Sequence, residues 1–193
     1  MIENIEFEQK TDEELVEIIL ENQSAFSQLV NRYREKLLRY IRRISGVSLE
    51  ESEDMLQNIF IKAYLNLNDF DSGLKFSSWI YRIAHNEVID NYRKRQARPQ
   101  LLDIDIKDSQ IKELAGSTDL LEELARQELK QEIRIAISKI NYKYQEIIIL
   151  KYIEEKDYQE ISDIIKKPLG TVASRMNKAK AELKKVLRTS RKI

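Results

Sequence analysis

The sequence predicts an all-α protein made of two small helical domains joined by a flexible linker. Apolar residues recur at intervals of three and four over most of the chain, which is the spacing of one face of a helix. Four Gly and two Pro among 193 residues are too few for the many turns of a β-rich fold. The helical spacing is interrupted after Pro99. We therefore expect one domain at 1–98, an acidic linker at 99–118 and a second domain at 119–193.

Helix-capping signals divide the first domain into its elements. The spacing of a capping box, which starts a helix, occurs at Thr11 with Glu14 and at Ser48 with Glu51. Gly46 is the expected C-cap of the helix that lies between them. A polar stretch at 68–75 (NDFDSGLK) predicts a loop. Ser77 or Ser78 is then expected to cap a helix that runs to the basic residues at 93–95.

The second domain is predicted to contain a helix beginning near Leu120 and three further helices. The first of these three covers about 143–153. The second begins at the Asp157 capping box with Glu160 and ends near Ile165. The last begins near Gly170, with Val172, Met176, Ala179 and Leu183 as its apolar stripe.

Charge is distributed unevenly along the chain, although the net charge is zero. Residues 1–24 carry a net charge of −7 and residues 25–100 carry +4. Residues 101–130 carry −4 and residues 131–193 carry +7. Two basic blocks separated by acidic segments indicate two modules that face a polyanion, although a basic surface can also be merely solvated.

The composition argues against an enzyme. The chain has no Cys, and His85 is the only His, so a metal site or a nucleophile with its base has few possible ligands or partners. We expect no catalytic residue, no metal and no cofactor, and we expect His85 to be a helix-surface or hydrogen-bonded residue. No apolar stretch reaches the ~20 residues of a membrane span. The start of the chain lacks a signal-peptide pattern, so a cytoplasmic protein without membrane insertion is expected.

The last fifty residues have the pattern of a helix-turn-helix. A short capped helix is followed by a turn containing Pro168 and by a longer basic helix. If the apolar stripe of the last helix faces inward, its open face presents Thr171, Ser174, Arg175 and Lys178. Such side chains bind phosphates and base edges in the major groove. The alternative is a solvated amphipathic helix that closes a bundle.

A second pattern, at 76–98, interleaves aromatic and cationic side chains. Trp79, Tyr81 and Tyr92 alternate there with Arg82 and the basic run at 93–95. Aromatic faces beside cations suit single-stranded nucleic acid, because unstacked bases stack on the rings while the cations follow the phosphates. A Trp near the start of an amphipathic helix is also a usual core residue, so for Trp79 both interpretations stay open.

Three stretches of the chain resemble the sigma-70 family of transcription initiation factors. Residues 53–64 (EDMLQNIFIKAY) are similar to the region 2 signature EDLVQEVFLRAW. Residues 76–86 (FSSWIYRIAHN), with Ile89, Asp90 and Arg93, are similar to its continuation FRTWLYRIARN. Residues 158–162 (YQEIS) and 168–175 (PLGTVASR) resemble the YEEIA and PLGTVKSR segments of region 4. The order of these stretches and the lack of a middle domain resemble the extracytoplasmic-function group.

This resemblance implies a two-domain factor that binds core RNA polymerase and directs it to promoters. The region 2-like domain would bind the clamp helices of the polymerase and would recognise and melt the −10 element, holding an unstacked base of the non-template single strand. The region 4-like domain would read the −35 element in duplex DNA and touch the polymerase flap. The resemblance also implies an anti-sigma factor as a partner.

The resemblance assigns residues to each surface. Core polymerase binding falls to Asp54, Gln57, Asn58 and Phe60. Contacts with the −10 element fall to Lys75, Phe76, Trp79, Arg82, Asn86, Asp90 and Arg93, and contacts with the −35 element to Thr171, Ser174, Arg175 and Lys178. Asn58, Ala173 and Asn177 depart from the residues that are frequent in the family, which leaves the promoter sequence open.

Two other functions are compatible with parts of the sequence. A dimeric helix-turn-helix regulator that binds duplex DNA without polymerase would explain residues 131–193 but not residues 53–93. A helical adaptor that binds only protein would use the acidic N-terminus and linker as its interface. Neither alternative explains all three matching stretches.

Overall fold

A computed structural model describes residues 7, 9–97 and 120–190 of the chain. Within these ranges the protein has eight α-helices, two short 3-10 helices and no strand, which confirms the all-α prediction. The α-helices are α1 (Asp12–Glu21), α2 (Phe26–Ser45), α3 (Leu49–Leu65), α4 (Phe76–Ala97), α5 (Leu120–Ser138), α6 (Tyr142–Tyr152), α7 (Tyr158–Ile165) and α8 (Leu169–Ser190). The predicted linker at 99–118 lies outside the described residues.

Local sequence signals set most helix ends in the first group of helices, α1–α4. The side chains of Thr11 and Ser48 each accept a hydrogen bond from the backbone amide three residues ahead. The amide of each cap residue in turn donates to a glutamate carboxylate, that of Glu14 or Glu51. Both predicted capping boxes are thus confirmed. Gly46 ends α2 with φ 63°, a left-handed conformation that glycine adopts without a steric cost.

The start of α4 differs from the prediction. The helix begins at Phe76, so neither Ser77 nor Ser78 is its cap, and both lie in its first turn. The carbonyl of Lys75 already accepts the amides of Ser78 and Trp79. The amide of Phe76 donates to Glu13 Oε1 of α1 at 2.8 Å. A side chain 63 residues away therefore satisfies one of the free amides at this helix end, in place of a local serine.

The core of the first group forms around α2. This helix packs against α1, α3 and α4, and its Leu29, Leu37, Tyr40 and Ile41 are fully buried. A cluster of edge-on and tilted aromatic rings fills the space between α2, the loop before α4 and the start of α4; it consists of Tyr33, Phe70, Phe76 and Trp79. Each such ring pair contributes ~0.5–1.5 kcal/mol beyond the burial of its area.

The second group, α5–α8, contains the predicted helix-turn-helix. Asp157 caps α7 in a capping box with Glu160, as expected. At the end of α7, Lys166 turns the chain in a left-handed conformation with φ 50°. Helix α8 follows at Leu169, one residue before the predicted start. Its Val172, Met176 and Ala179 are fully buried, and Leu183 is half-buried against the same group of helices, so the predicted stripe faces inward.

The two groups of helices pack directly against each other. Helix α4 lies along α7, and α2 contacts α6. Buried apolar residues of both groups form one continuous cluster, in which Ile80 and Ala84 of α4 are joined by Ile147, Ile161 and others of α6 and α7. The faces of α4 and α2 that meet α6 and α7 are therefore covered by the second group.

No helix among the described residues combines the length and the apolar character that a membrane crossing requires.

Candidate nucleic-acid and partner-binding surfaces

The open face of α8 presents polar side chains at the N-terminal end of the second helix of the helix-turn-helix. Ser174 and Lys178 are exposed there, while Thr171 and Arg175 are half-buried. The buried stripe of Val172 and Met176 holds the opposite side of the helix against the bundle. In a helix-turn-helix, this end of the second helix enters the major groove. The four predicted residues therefore share the end of α8 that would contact DNA.

Arg175 also lies near the interface between the two groups of helices. This interface, where α2 and α4 meet α6 and α7, is called the seam below. The ring of Tyr142 at the start of α6 stacks on Tyr92 of α4, with ring centres 5.9 Å apart and planes at 7°. Burial and the Glu146 carboxylate raise the pKa of Tyr142, whereas the positive charge of Arg175 opposes this change. Arg175 is thus close enough to Tyr142 to act on its hydroxyl group, and it also lies on the second helix of the helix-turn-helix.

The residues predicted to contact the −10 strand fall into two sets. Phe76 is fully buried and Trp79 is 5% exposed, so both rings belong to the core and are unavailable for stacking on a base in this structure. Lys75 is exposed at the end of the loop and Arg82 is half-buried. Further along α4, three predicted residues are exposed: Asn86, Asp90 and Arg93. The structure therefore presents a polar ridge along α4, formed by Lys75, Arg82, Asn86, Asp90 and Arg93. The buried rings of Phe76 and Trp79 fix the first turn of this helix.

The four residues predicted to bind polymerase lie on α3. Asp54, Gln57 and Asn58 are exposed along one side of the helix. Phe60 is half-buried and meets Phe26 edge to face, with ring centres 6.5 Å apart. The three polar residues therefore form a continuous exposed strip, and Phe60 borders it as a partly covered apolar residue.

Buried Glu87 of α4 connects this strip to the polar ridge on α4. Its carboxylate accepts a hydrogen bond from Asn58 Nδ2 at 3.3 Å and pairs with Lys62 Nζ at 2.5 Å. Glu87 is 8% exposed, so these partners compensate a charge that is largely removed from water. The sequence pattern did not single out Glu87, since it is an ordinary acidic position within a basic helix.

Glu146 of α6 carries the most deeply buried carboxylate at the seam, with 3% of the residue exposed. Its Oε1 accepts the hydroxyl of Tyr40 of α2 at 2.8 Å and contacts Nδ1 of His85 of α4. Burial, followed by the Glu146 charge, raises the pKa of Tyr40. Of the two expectations for His85, the hydrogen-bonded residue is confirmed and the helix-surface residue is wrong, because His85 is 8% exposed.

Glu154, just after α6, makes a second polar contact across the seam. It accepts the hydroxyl of Tyr81 at 2.6 Å and a hydrogen bond from Arg43 at 3.2 Å. Burial and the Glu154 carboxylate raise the pKa of Tyr81. Burial lowers the pKa of Arg43, while Glu154 counteracts that change. Both partners of Glu154 belong to the first group of helices.

Lys75 makes a third contact at the start of α7. Its Nζ lies 3.5 Å from Glu160 and 3.9 Å from Asp157. Beside it, Lys156 Nζ donates to Ser77 Oγ at 3.0 Å and lies 3.6 Å from Glu160. Burial lowers the pKa of Lys156, against the pull of Glu160. Lys75, which is predicted to contact DNA, thus lies near two carboxylates of the second group while its side chain stays 63% exposed.

The three polar contacts across the seam could not be predicted from the sequence, because each depends on how distant parts of the chain meet. Each joins residues far apart in the chain, such as Tyr40 and Glu146 at a separation of 106. The one local signal is Glu146 itself, a charged residue directly before the apolar run 147–150. Among the described residues no group of His, Asp or Glu is arranged to hold a metal ion.

Comparisons with known proteins match both groups of helices. Sigma-70 region 2 matches residues 29–98, and Sigma-70 region 4 matches residues 130–183. The extracytoplasmic-function (ECF) RNA polymerase sigma factor SigW of Bacillus subtilis is 36% identical over 172 residues, which cover 86% of this chain and 91% of SigW. The ECF sigma-E factor of Escherichia coli K12 is 32% identical over 181 residues, which cover 90% of this chain and 92% of that protein.

Solved structures show the same fold. CnrH, in complex with the cytosolic domain of CnrY, matches with a TM-score of 0.67 and 26% identity, covering 93% of this chain and 99% of CnrH. The sigma factor RpoE of Bartonella quintana, in complex with the anti-sigma factor NepR, matches with a TM-score of 0.65 and 23% identity, covering 84% of this chain and 96% of RpoE. At that identity the second match supports the fold alone.

The fold, the helix-turn-helix and the two family matches define the class of protein. The chain belongs to the sigma-70 family and, within it, to the ECF RNA polymerase sigma factors. It is a transcription initiation factor that directs RNA polymerase. The alternative of a helix-turn-helix regulator without polymerase leaves the match at 29–98 unexplained.

Proposed function

We propose that this sigma factor divides promoter recognition between residues 1–98, which dock on core polymerase and take up the −10 strand, and residues 119–193, which read the −35 element. The observation that carries the proposal is the helix-turn-helix of α7 and α8. Its buried stripe leaves Ser174 and Lys178 exposed at the end of α8 that enters a groove. Residues 99–118 would join the two units.

Recognition of the −35 element would use Thr171, Ser174, Arg175 and Lys178. Arginine can bond bidentately to guanine, whereas Ser, Thr and Lys mainly bond phosphates and single base atoms. Ala173 offers no such group, so base reading would depend on the side chains on either side of it. The exposed Lys166, Lys167 and Lys180 would add phosphate contacts around the groove.

Capture of the −10 strand would use the ridge that begins at Lys75 and continues along α4. Arg82, Asn86, Asp90 and Arg93 would contact the melted non-template strand there. Asp90 lies 3.9 Å from Arg93 on the next turn and can hold its guanidinium in position. Phe76 and Trp79 would support this surface from the core, since their buried rings fix the first turn of α4.

Docking on core polymerase would use the strip of Asp54, Gln57 and Asn58 on α3, with Phe60 at its border. Three exposed polar side chains beside a partly exposed aromatic ring suit a protein interface with a polar rim. The clamp helices would meet this strip. The flap would meet an apolar part of the second group.

The remaining features of the proposal concern the setting in which the protein acts. We propose a role without catalysis, in which the protein supplies only binding and positioning and polymerase performs the chemistry. The protein would act in the cytoplasm, where core polymerase and promoter DNA are found, and would need no metal or cofactor. CnrH was solved with the cytosolic domain of CnrY bound to it, which supports a protein partner for this chain, and we propose that this partner is an anti-sigma factor.

Reconstituted transcription tests the proposal. The full chain is mixed with bacterial core RNA polymerase and a library of random-sequence duplexes, and the 5′ ends of the transcripts are sequenced. We expect transcripts that start at defined positions and share two upstream sequence elements at −10 and −35. Core polymerase alone is the baseline, and transcripts without a shared upstream element would contradict the proposal.

Two matched variants separate the surfaces. Lys178→Ala lies on the proposed −35 surface, whereas Lys185→Ala removes an exposed charge two turns further along the same helix. We expect only the first to reduce transcription from templates carrying the −35 element by more than a few-fold. Equal losses for both variants would show that α8 contributes nonspecific charge rather than the proposed reading surface.

A further inference from the structure

Glu87 of α4 is a buried charge that has no role on the surfaces described above. The residue is 8% exposed, and both oxygens of its carboxylate are bonded by side chains of the neighbouring helix α3. Asn58 Nδ2 lies 3.3 Å from Oε1, and Lys62 Nζ bonds Oε2. Since Asn58 and Lys62 lie one helical turn apart, a single carboxylate reaches both of them. One of these partners, Asn58, belongs to the strip proposed to dock on polymerase.

The contact with Glu87 determines which way the Asn58 amide points. A side-chain amide has an NH2 group that donates and a carbonyl oxygen that accepts, whereas an ionised carboxylate only accepts. The NH2 group of Asn58 must therefore face Glu87, as it does in the structure. The Oδ1 atom lies on the other arm of the planar amide and is turned away from Glu87. Because Asn58 is exposed, this oxygen is accessible to a partner.

We propose that Glu87 is a positioning residue for polymerase docking, which holds the Asn58 amide so that its Oδ1 faces the partner. The group that meets Asn58 on the partner is then a hydrogen-bond donor. Asp54 lies one turn earlier on α3 and offers only acceptors, so the two positions together fit a cationic donor. Glu87 itself does not touch the partner. This inference rests on the proposed function, because it assumes that polymerase docks on the strip of α3.

A purely structural role for Glu87 is the alternative. A carboxylate that joins α3 to α4 could stabilise the fold without any effect on how Asn58 meets polymerase. The two roles differ in their outcome when the Asn58 amide is freed to turn over. Glu87→Gln frees it, because glutamine has both a donor and an acceptor and can bond either arm of that amide. Lys62 then loses its partner, but its side chain is 48% exposed, so water can solvate the ammonium group.

A second substitution, Asn58→Asp, restores the outward acceptor. An aspartate carboxylate has no NH2 group, so it presents an oxygen to the partner whichever way it turns. In the Glu87→Gln background, the glutamine NH2 group can donate to the other oxygen. In the wild-type background the same substitution places two carboxylates side by side, and their repulsion turns the new side chain out of position.

Competition with labelled wild-type protein for core RNA polymerase measures the four members of this cycle as full chains. We expect Glu87→Gln to bind core polymerase about tenfold more weakly, because a reversed amide sets a donor against a donor. Asn58→Asp alone should bind about threefold more weakly, because of the repulsion from Glu87. The double variant Glu87→Gln/Asn58→Asp should bind within about twofold of wild type, so each substitution compensates the other.

Two results would overturn the proposal. If the double variant binds as weakly as the sum of the two single effects, Glu87 acts only through the stability of the fold. If Asn58→Asp tightens binding equally in both backgrounds, the added charge acts by itself. Glu17→Gln, which neutralises an exposed glutamate on α1, is the matched control and should stay within about twofold of wild type. Urea unfolding of every variant identifies conditions in which all of them are folded for the competition.

The exposed strip provides the test that separates this inference from the proposed function. Asp54→Ala with Gln57→Ala changes the strip and leaves the contact between Asn58 and Glu87 in place. If this variant competes for core polymerase as well as wild type does, the docking surface is wrong and the role of Glu87 fails with it. If the strip variant is weakened while the effects of Glu87→Gln and Asn58→Asp are additive, the docking surface stands and only the positioning role is wrong.

Discussion

Replacing Glu146 by leucine should lower the free energy of unfolding, because two buried polar groups would lose their hydrogen-bond partner. The substitution removes the acceptor of the Tyr40 hydroxyl, which is fully buried, and the partner of the His85 imidazole. Each buried donor left without an acceptor costs about 1–3 kcal/mol, so we expect a loss of about 2–6 kcal/mol. Such a loss is a large part of the ~5–15 kcal/mol that stabilises a typical domain.

A double-mutant cycle with Tyr40→Phe isolates the hydrogen bond itself. In the wild-type background Tyr40→Phe should cost about 1.5–3 kcal/mol, the usual value for a hydrogen bond to a charged group. In the Glu146→Leu background it should instead restore about 1–3 kcal/mol, because phenylalanine removes the buried hydroxyl that has lost its acceptor. The expected coupling free energy between the two sites is therefore about 2.5–6 kcal/mol.

Urea denaturation measured with two probes provides the values. Trp79 is the only tryptophan, and its fluorescence reports on the first group of helices, whereas circular dichroism reports on both groups. In the wild type the two probes should give one common transition, since the seam joins both groups into one core. Additive effects of Tyr40→Phe and Glu146→Leu to within about 0.5 kcal/mol would refute the reasoning.

Three further outcomes are expected. Arg175→Ala should cost about 1–3 kcal/mol on the preferred −35 sequence and relax specificity there, while Lys184→Ala should weaken all sequences equally and flatten the salt slope by at most ~1. Asp54→Ala with Gln57→Ala should lower the affinity for core polymerase in a competition assay without changing helicity, because both side chains are exposed on α3. The backbone amide of Glu160 donates to the Asp157 carboxylate and lowers the pKa of that carboxyl group. The cap therefore stabilises the folded chain at pH values above the ordinary carboxyl pKa, and this stabilisation is lost as the pH falls through the lowered pKa of Asp157. Asp157→Asn should keep the cap and remove this part of the pH dependence, as measured by thermal unfolding from pH 2 to pH 7.

Each of these outcomes has a contrary result. If Arg175→Ala reduces transcription from every −35 variant by the same factor, Arg175 is a phosphate contact and not a base reader. Unaltered competition for core polymerase by the α3 double variant would remove the strip from the docking surface. If Asp157→Asn retains the acid sensitivity of the wild type in full, other carboxyl groups account for it.

Local signals predicted the helices well because the interactions that set helix ends span only a few residues. Thr11 with Glu14 and Ser48 with Glu51 each complete a capping box within one turn, so the pattern is visible in the sequence. The start of α4 was misplaced because Glu13, from another helix, bonds the Phe76 amide. A capping partner 63 residues away leaves no trace in the local pattern.

The candidate surfaces were predictable only in part, for a related reason. Helical spacing was sufficient to place Ser174 and Lys178 opposite the buried stripe of α8. It could not determine whether Trp79 lies in the core or on a surface, because that depends on Phe70 packing over the start of α4. The carboxylates at the seam depend on how two groups of helices meet, a property that no helix pattern contains.

The long sequence separation of the seam contacts has a consequence for the newly made chain. Synthesis at ~5–20 residues per second places Glu146 about 5–20 s behind Tyr40, which it finally covers 106 residues later. The first helices leave the ribosome with their side of the seam still open to solvent. During that interval Tyr40, Tyr81 and Lys75 are accessible on every nascent molecule, and closure begins only when α6 and α7 emerge.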